Sequence, residues 1–270
     1  MANKSATNQS VLREWNSTAY HRLSTPQVSW GKKVLSRLKL RGNETVLDAG
    51  CGTGRLTAEL LEALPKGRVV AIDLSQNMLR SAREHLSAHF GNRLNLIACD
   101  FLHLPLKRVV DVVVSTAAFH WVLDHDRLFR NLHDVLVPGG WLEVQCGGGP
   151  NVARVRERAG ALTATPKFSA YFTGFHEPWL FEDAEGAAER LRKAGFDEVQ
   201  TSVEAAPTRM DDAAHYSDFV RNIILWRHLE QIPSERERAE FMAIITDHAS
   251  KDDPPFLLDY WRLNLRARAA

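Results

Sequence analysis

The chain has 270 residues, 44% hydrophobic and 25% charged, which is an ordinary globular composition with enough apolar content for a substantial core. Its 34 basic and 33 acidic residues leave a net charge of +1, which argues against a nucleic-acid binder that works through a basic field. No stretch approaches the roughly 20 apolar residues of a membrane span.

Residues 1–10 are polar and lack the apolar run of a signal peptide, so the expectation is a cytoplasmic protein. From Val11 to Leu23 the apolar spacing is helical, with Val11, Leu12, Trp15 and Ala19 on one face. Ser24-Thr25-Pro26 breaks it, and a second helix is expected over Gln27–Leu40, closed at Gly42-Asn43. Strand 1 is Thr45–Ala49, followed by a helix carrying Leu56, Leu60, Leu61 and Leu64 that stops at Pro65. Strand 2 runs from Arg68 to Ile72 and ends at Asp73, and Ser75 caps a helix reaching His89. Strand 3 is Leu94–Cys99, strand 4 Val109–Ser115, the next helix Asp126–Leu136 and strand 5 Trp141–Cys146.

Strands alternate with helices throughout, and the strands are near-continuous apolar runs, as they are when both faces of a sheet are covered. The pattern predicts a doubly wound, parallel α/β sheet with its functional loops at the strand C-termini. After strand 5 the rhythm loosens. A helix is expected near Val152–Leu162, an irregular aromatic stretch over Phe168–Trp179, a helix over Glu182–Ala194 and strand 6 over Phe196–Ala205. Two helices, residues 211–230 and 234–248, precede an antiparallel strand 7 over Phe256–Leu265. Cys51, Cys99 and Cys146 are an odd number, scattered through predicted core, which points to a reducing compartment and no disulfide framework. No Cys/His spacing resembles a zinc site, so no metal is expected.

The chemistry concentrates in Val46-Leu47-Asp48-Ala49-Gly50-Cys51-Gly52-Thr53-Gly54-Arg55, where an apolar strand runs into three alternating glycines and then a helix. Glycine tolerates positive φ and lets a ligand press on the backbone. The helix N-terminus behind it favours an anionic group. A dinucleotide fingerprint has Gly-x-Gly-x-x-Gly, and a P-loop ends in Gly-Lys-Ser/Thr; neither spacing is present.

Asp-x-Gly-x-Gly-x-Gly resembles motif I of the class I S-adenosylmethionine (SAM)-dependent methyltransferases. The resemblance implies a seven-stranded, mostly parallel Rossmann-like sheet with a small helical cap, and SAM as cofactor. It also implies a cofactor site formed by Asp48, Gly50, Cys51, Gly52, Gly54, Asp73, Leu74, Met78, Asp100, Phe101 and Thr116. Asp73, ending strand 2, is the expected ribose ligand, because a carboxylate accepts both hydroxyls of a cis-diol; otherwise it caps the next helix. Asp100-Phe101 is expected at the adenine, with a plain N-cap as the alternative. Ser115–Gly149, with Phe-His-Trp-Val-x-Asp-His and Pro-Gly-Gly, is similar to the trans-aconitate and malonyl-carrier-protein methyltransferase group.

His120 and Tyr20 are the candidate catalytic residues. His120 is expected either as a general base, with a pKa near the ordinary 6.5, or as a hydrogen-bond donor to the acceptor, and the alternative is a histidine that only orders its loop. Aromatics outside the strand core, namely Trp15, Trp30, Trp179, Trp226, Trp261, Tyr20, Tyr171, Tyr216 and Tyr260, suggest an enclosed apolar acceptor pocket. Asp253-Pro254-Pro255-Phe256 resembles the motif of amino-methylating nucleic-acid enzymes, but follows polar residues and reads as a turn before strand 7.

The expected organisation is a helical lid over residues 1–42 and a SAM-binding core over 43–206 with a cap insertion at about 150–180. A helical cap over 207–252 and a last strand within 253–270 complete it. The expected function is methylation of a small molecule, by preference at a carboxylate or hydroxyl oxygen, by a monomer or homodimer without nucleic-acid or membrane partners. N- or C-methylation, non-catalytic SAM binding and, further off, nucleotide-dependent oxidoreduction stand as alternatives.

Overall fold

A computed structural model describes Glu14 and residues 25–270. The expected helix over Val11–Leu23, with Trp15 and Tyr20, lies outside the described residues. The first described helix, α1 (Thr25–Arg37), has Pro26 in its first turn, where the missing N–H costs nothing. It ends three residues short of Leu40. The turn at Gly42 is held instead by Glu44, whose buried carboxylate accepts the amide N–H groups of Arg41 at 2.7 Å and Gly42 at 2.9 Å.

The sequence then alternates as β1 (Thr45–Ala49), α2 (Arg55–Ala63), β2 (Arg68–Asp73), α3 (Gln76–Phe90), β3 (Leu94–Ala98), β4 (Val110–Thr116), α4 (His125–Val135) and β5 (Leu136–Gly147). β5 begins earlier than Trp141 because Leu136 already pairs with Val110 before Pro138-Gly139-Gly140 shifts the register. After β5 come α5 (Ala153–Thr163), α6 (Ala184–Lys193) and β6 (Phe196–Ala205). A two-residue β7 (Thr208–Arg209) follows, then α7 (Ala213–Phe219), α8 (Trp226–Gln231) and α9 (Glu235–Ser250). A short β8 (Leu257–Leu258) and β9 (Trp261–Ala269) complete the chain.

The seven-stranded sheet has the order β3-β2-β1-β4-β5-β9-β6. Only β9 is antiparallel, pairing with β5 on one side and β6 on the other. The last strand thus starts at Trp261, not Phe256, and lies inside the sheet. Leu257 and Leu258 pair with β7 instead. Along β9, Leu263, Leu265, Ala267 and Ala269 enter the core, while the alternate positions are Arg262, Asn264, Arg266 and Arg268. Arg266 is held by Glu143 of β5 at 2.8 Å, directly across the strand pair. Asp253–Phe256 is a turn, closed by the Phe256 amide donating to the Ala249 carbonyl at 3.0 Å.

α1, α2 and α3 cover one face of the sheet; α4 and α6 cover the other. A separate core, holding Val155, Phe168, Trp179, Tyr216, Phe219 and Phe241, joins α5 and the following aromatic segment to α7–α9. This helical layer sits above the strand C-termini and includes Trp30 of α1. The expected single helix over 211–230 is interrupted by a π-helical turn, Val220–Ile224, closed by Leu225 N–H donating to the Val220 carbonyl at 2.8 Å. Among the described residues no helix is long and apolar enough to cross a membrane.

Candidate active site

A cleft of about 1140 Å³ opens between the strand C-termini and the helical layer. The three glycines of the β1–α2 loop all have positive φ: 86° at Gly50, 55° at Gly52 and 85° at Gly54. They do different work. A Cβ on Gly50 meets the Ala118 Cβ at 2.4 Å, and one on Gly54 meets Leu86 Cδ1 at 2.6 Å, so these two permit close packing of the loop. A Cβ on Gly52 meets nothing within 4 Å, and Gly52 lines the cleft. Its backbone is therefore presented to open space in front of the α2 N-terminus, a cradle for a ligand.

Asp48 does not line the cleft. It is 1% exposed, accepts the Thr57 hydroxyl at 2.6 Å, and so ties β1 to α2 behind the loop. Burial pushes its carboxyl up to about 7, and the neighbouring Asp73 adds to the rise. Cys51 and Gly54 also pack behind the loop, not on the cleft.

Asp73 does line the cleft, with Leu74 and Met78 beside it. Its Oδ2 accepts the Gly52 amide at 2.9 Å and its Oδ1 the Ser75 amide at 2.9 Å. Each oxygen keeps a lone pair for a ligand. Burial raises its carboxyl above the usual range, the backbone donors counteract this, and the charge of Glu14 adds to it. The Glu14 carboxylate itself reaches Ser75 Oγ at 3.1 Å and the Asn77 amide at 3.0 Å, at the N-terminus of α3. Asp100 accepts the Leu102 amide at 2.9 Å as an N-cap, and both it and Phe101 line the cleft, as does Thr116.

His120 sits in a short 3-10 turn after β4, with its ring stacked on Phe181 at 5.7 Å. Its Nδ1 accepts the Gly147 amide at 3.4 Å, which leaves the proton on Nε2. Burial pushes its pKa well below the ordinary value, and the charge of Arg262 pushes it further. The imidazole is therefore neutral, a poor base and a competent donor, unlike the histidine of unshifted pKa expected from the sequence.

Arg262 was not legible as a site residue. It is the second residue of β9, is 2% exposed, lines the cleft, and lays its guanidinium over the Trp30 ring at 4.2 Å. Its signal in the sequence is weak, since Arg262 alternates with core residues just as Asn264, Arg266 and Arg268 do. Of the aromatics outside the strand core, Trp30, Trp179, Trp226 and Tyr260 line the cleft. Trp261, Tyr171 and Tyr216 do not. Tyr216 is wholly buried in the helical layer, and the Tyr171 hydroxyl donates to Glu237 at 3.2 Å. Among the described residues no His, Cys, Asp and Glu cluster is able to hold a metal ion.

A methyltransferase-domain family model matches residues 46–140, the glycine loop through β4 to the start of β5. The trans-aconitate 2-methyltransferase of Rhodopseudomonas palustris strain BisB18 is 31% identical over 65% of this chain and 62% of its own length. The namesake from Methylobacterium radiotolerans is 29% identical over 96% of this chain and 100% of its own. Among solved structures, a Haemonchus contortus phosphoethanolamine N-methyltransferase 2 with S-adenosylhomocysteine bound matches with a TM-score of 0.61 at 17% identity. That match covers 94% of this chain and 56% of that one, and shows the fold alone. The methyltransferase-domain match and the named relatives, on this fold, make the chain a class I SAM-dependent methyltransferase. Within that class, this chain is similar to the trans-aconitate 2-methyltransferases.

Proposed function

We propose that the enzyme methylates a carboxylate oxygen of a small-molecule acceptor. The observation that carries the reading is Arg262, a buried guanidinium on the cleft wall beside a neutral, Nε2-protonated His120. A carboxylate is the natural complement of both, since Arg offers a planar fork of donors and His a single one. The relatives' name, after a polycarboxylate, agrees with it.

The open backbone face of Gly52 fits the methionyl part of the cofactor, Asp73 its ribose hydroxyls, and Asp100 with Phe101 its adenine. Bound there, SAM supplies a methyl group on a sulfonium; a carboxylate oxygen forms the new C–O bond, the S–C electron pair stays on sulfur, and no proton moves. The protein's part is to align and to exclude water. Because both charges vanish on transfer, Arg262 and His120 act through acceptor binding and orientation more than through the barrier. A base is not needed, which suits a histidine whose pKa is depressed.

The test is acceptor-dependent release of S-adenosylhomocysteine with a set of small carboxylic acids, read together with the product mass. A methyl ester supports the reading. Turnover confined to amines, or tight binding of NAD in place of SAM, overturns it.

A further inference from the structure

We infer that the acceptor presents one carboxylate on an apolar, ring- or chain-bearing body, not the cluster of carboxylates for which the relatives are named. The inference rests on the carboxylate reading above and refines it. A volume of about 1140 Å³ exceeds the roughly 300–1,000 Å³ usual for a single-ligand pocket, so an acceptor has room beside the cofactor.

The cleft that Arg262 lines has a largely aromatic wall, beginning with Trp30 under its guanidinium at 4.2 Å. Trp121 meets Trp179 edge-on at 6.0 Å and Trp226 at 6.1 Å, and Trp179 stacks on Phe181 at 5.7 Å. Ile223, from the π-helical turn, extends the same wall. Such a surface takes an apolar body by dispersion and burial.

The charges point the same way. Among the described lining residues Arg262 is the one buried cation. Arg227 is committed to Glu230 at 3.1 Å, and Arg127 is exposed at the rim beside the acidic Asp124. Glu177, from the Thr173–Trp179 segment, adds a carboxylate to the lining, 3.5 Å from the His228 ring. One carboxylate therefore finds a partner in Arg262. A second or third would be pressed on aromatic rings or held near Glu177, and an unpaired buried charge is strongly disfavoured.

The experiment compares kcat/KM of the full-length enzyme for trans-cinnamate, phenylacetate and octanoate with that for trans-aconitate and citrate. The best monocarboxylate is expected to exceed both polycarboxylates by at least tenfold. Trp179→Ala is expected to lower kcat/KM for that monocarboxylate more than tenfold while SAM affinity stays within twofold. Preference of the wild-type enzyme for trans-aconitate overturns the inference and leaves carboxylate methylation standing, whether or not the tryptophan variant folds. Failure of every acid to yield an ester, with SAM bound normally, overturns the carboxylate reading itself and the inference with it.

Discussion

Gly52 donates its amide N–H to Asp73 Oδ2 at 2.9 Å, so the glycine loop and the end of β2 are one hydrogen-bonded unit. Asp73 thereby shapes the loop and, on our reading, holds the ribose. Asp73→Ala is expected to weaken SAM binding by about 1.5–3 kcal/mol, the cost of losing charged hydrogen bonds. Titration calorimetry measures it, and unchanged affinity in a folded variant removes Asp73 from the site.

Gly52 and Gly54 separate ligand contact from packing. Gly52→Ala places a methyl in open space at a φ of 55°, a strain of roughly 1–2 kcal/mol, and intrudes where the cofactor would lie. It is expected to fold, with a modest loss in melting temperature, and to bind SAM at least tenfold more weakly. Gly54→Ala drives its methyl into Leu86 and is expected to show the larger loss of stability. The reverse ranking of the two variants in thermal melts and SAM titrations contradicts the division of roles.

Much of this was legible because the strands and helices differ in period and length. β1, its glycine loop and Asp73 follow one another in twenty-nine residues or fewer of regular βαβ pattern, so local rules suffice. Asp48 looks like a ligand from its place in the motif, yet faces Thr57 behind the loop; sequence does not say which side of a strand end faces the cleft. Arg262 was missed because its value depends on β9 entering the sheet between β5 and β6, a pairing across long sequence separation. The break in the 211–230 helix escaped for a related reason. Val220, Ile223 and Ile224 have the spacing of an ordinary helix face, and only tertiary packing selects the π-helical turn.

His120 gives a pH prediction. Its pKa lies well below the ordinary value, so the ring stays neutral from weakly acidic to basic pH. With a carboxylate acceptor, kcat is expected to be flat from about pH 6.5 to 9, the range above an unshifted histidine. A general base would make kcat rise with pH through its own pKa. His120→Phe is expected to reduce kcat/KM by about 10–100-fold through KM, the value of a hydrogen bond to a charged group, and His120→Gln, which keeps a donor, by much less. Equal loss in kcat for both variants contradicts the donor role.

Asp48 gives a stability prediction. Its folded-state pKa of about 7 lies above the unfolded value of 3.8, so the folded protein binds this proton more tightly. The contribution is fully present below the unfolded pKa and is lost as pH rises toward 7. Asp48→Asn retains an acceptor for Thr57 and removes the buried charge. It is expected to raise the melting temperature of the apo protein at pH 8, with the gain shrinking toward pH 4. A variant that melts lower than wild type at pH 8 contradicts this reading of the buried carboxyl.

The most direct test of carboxylate methylation is the chemical stability of the transferred methyl group. After turnover with methyl-labelled SAM and an accepted acid, brief treatment with mild alkali hydrolyses a methyl ester and releases the label as volatile methanol. Label that volatilises, with the free acid recovered, is the result predicted. Label that stays on the product through the same treatment, as an N-, C- or ether-linked methyl would, contradicts it.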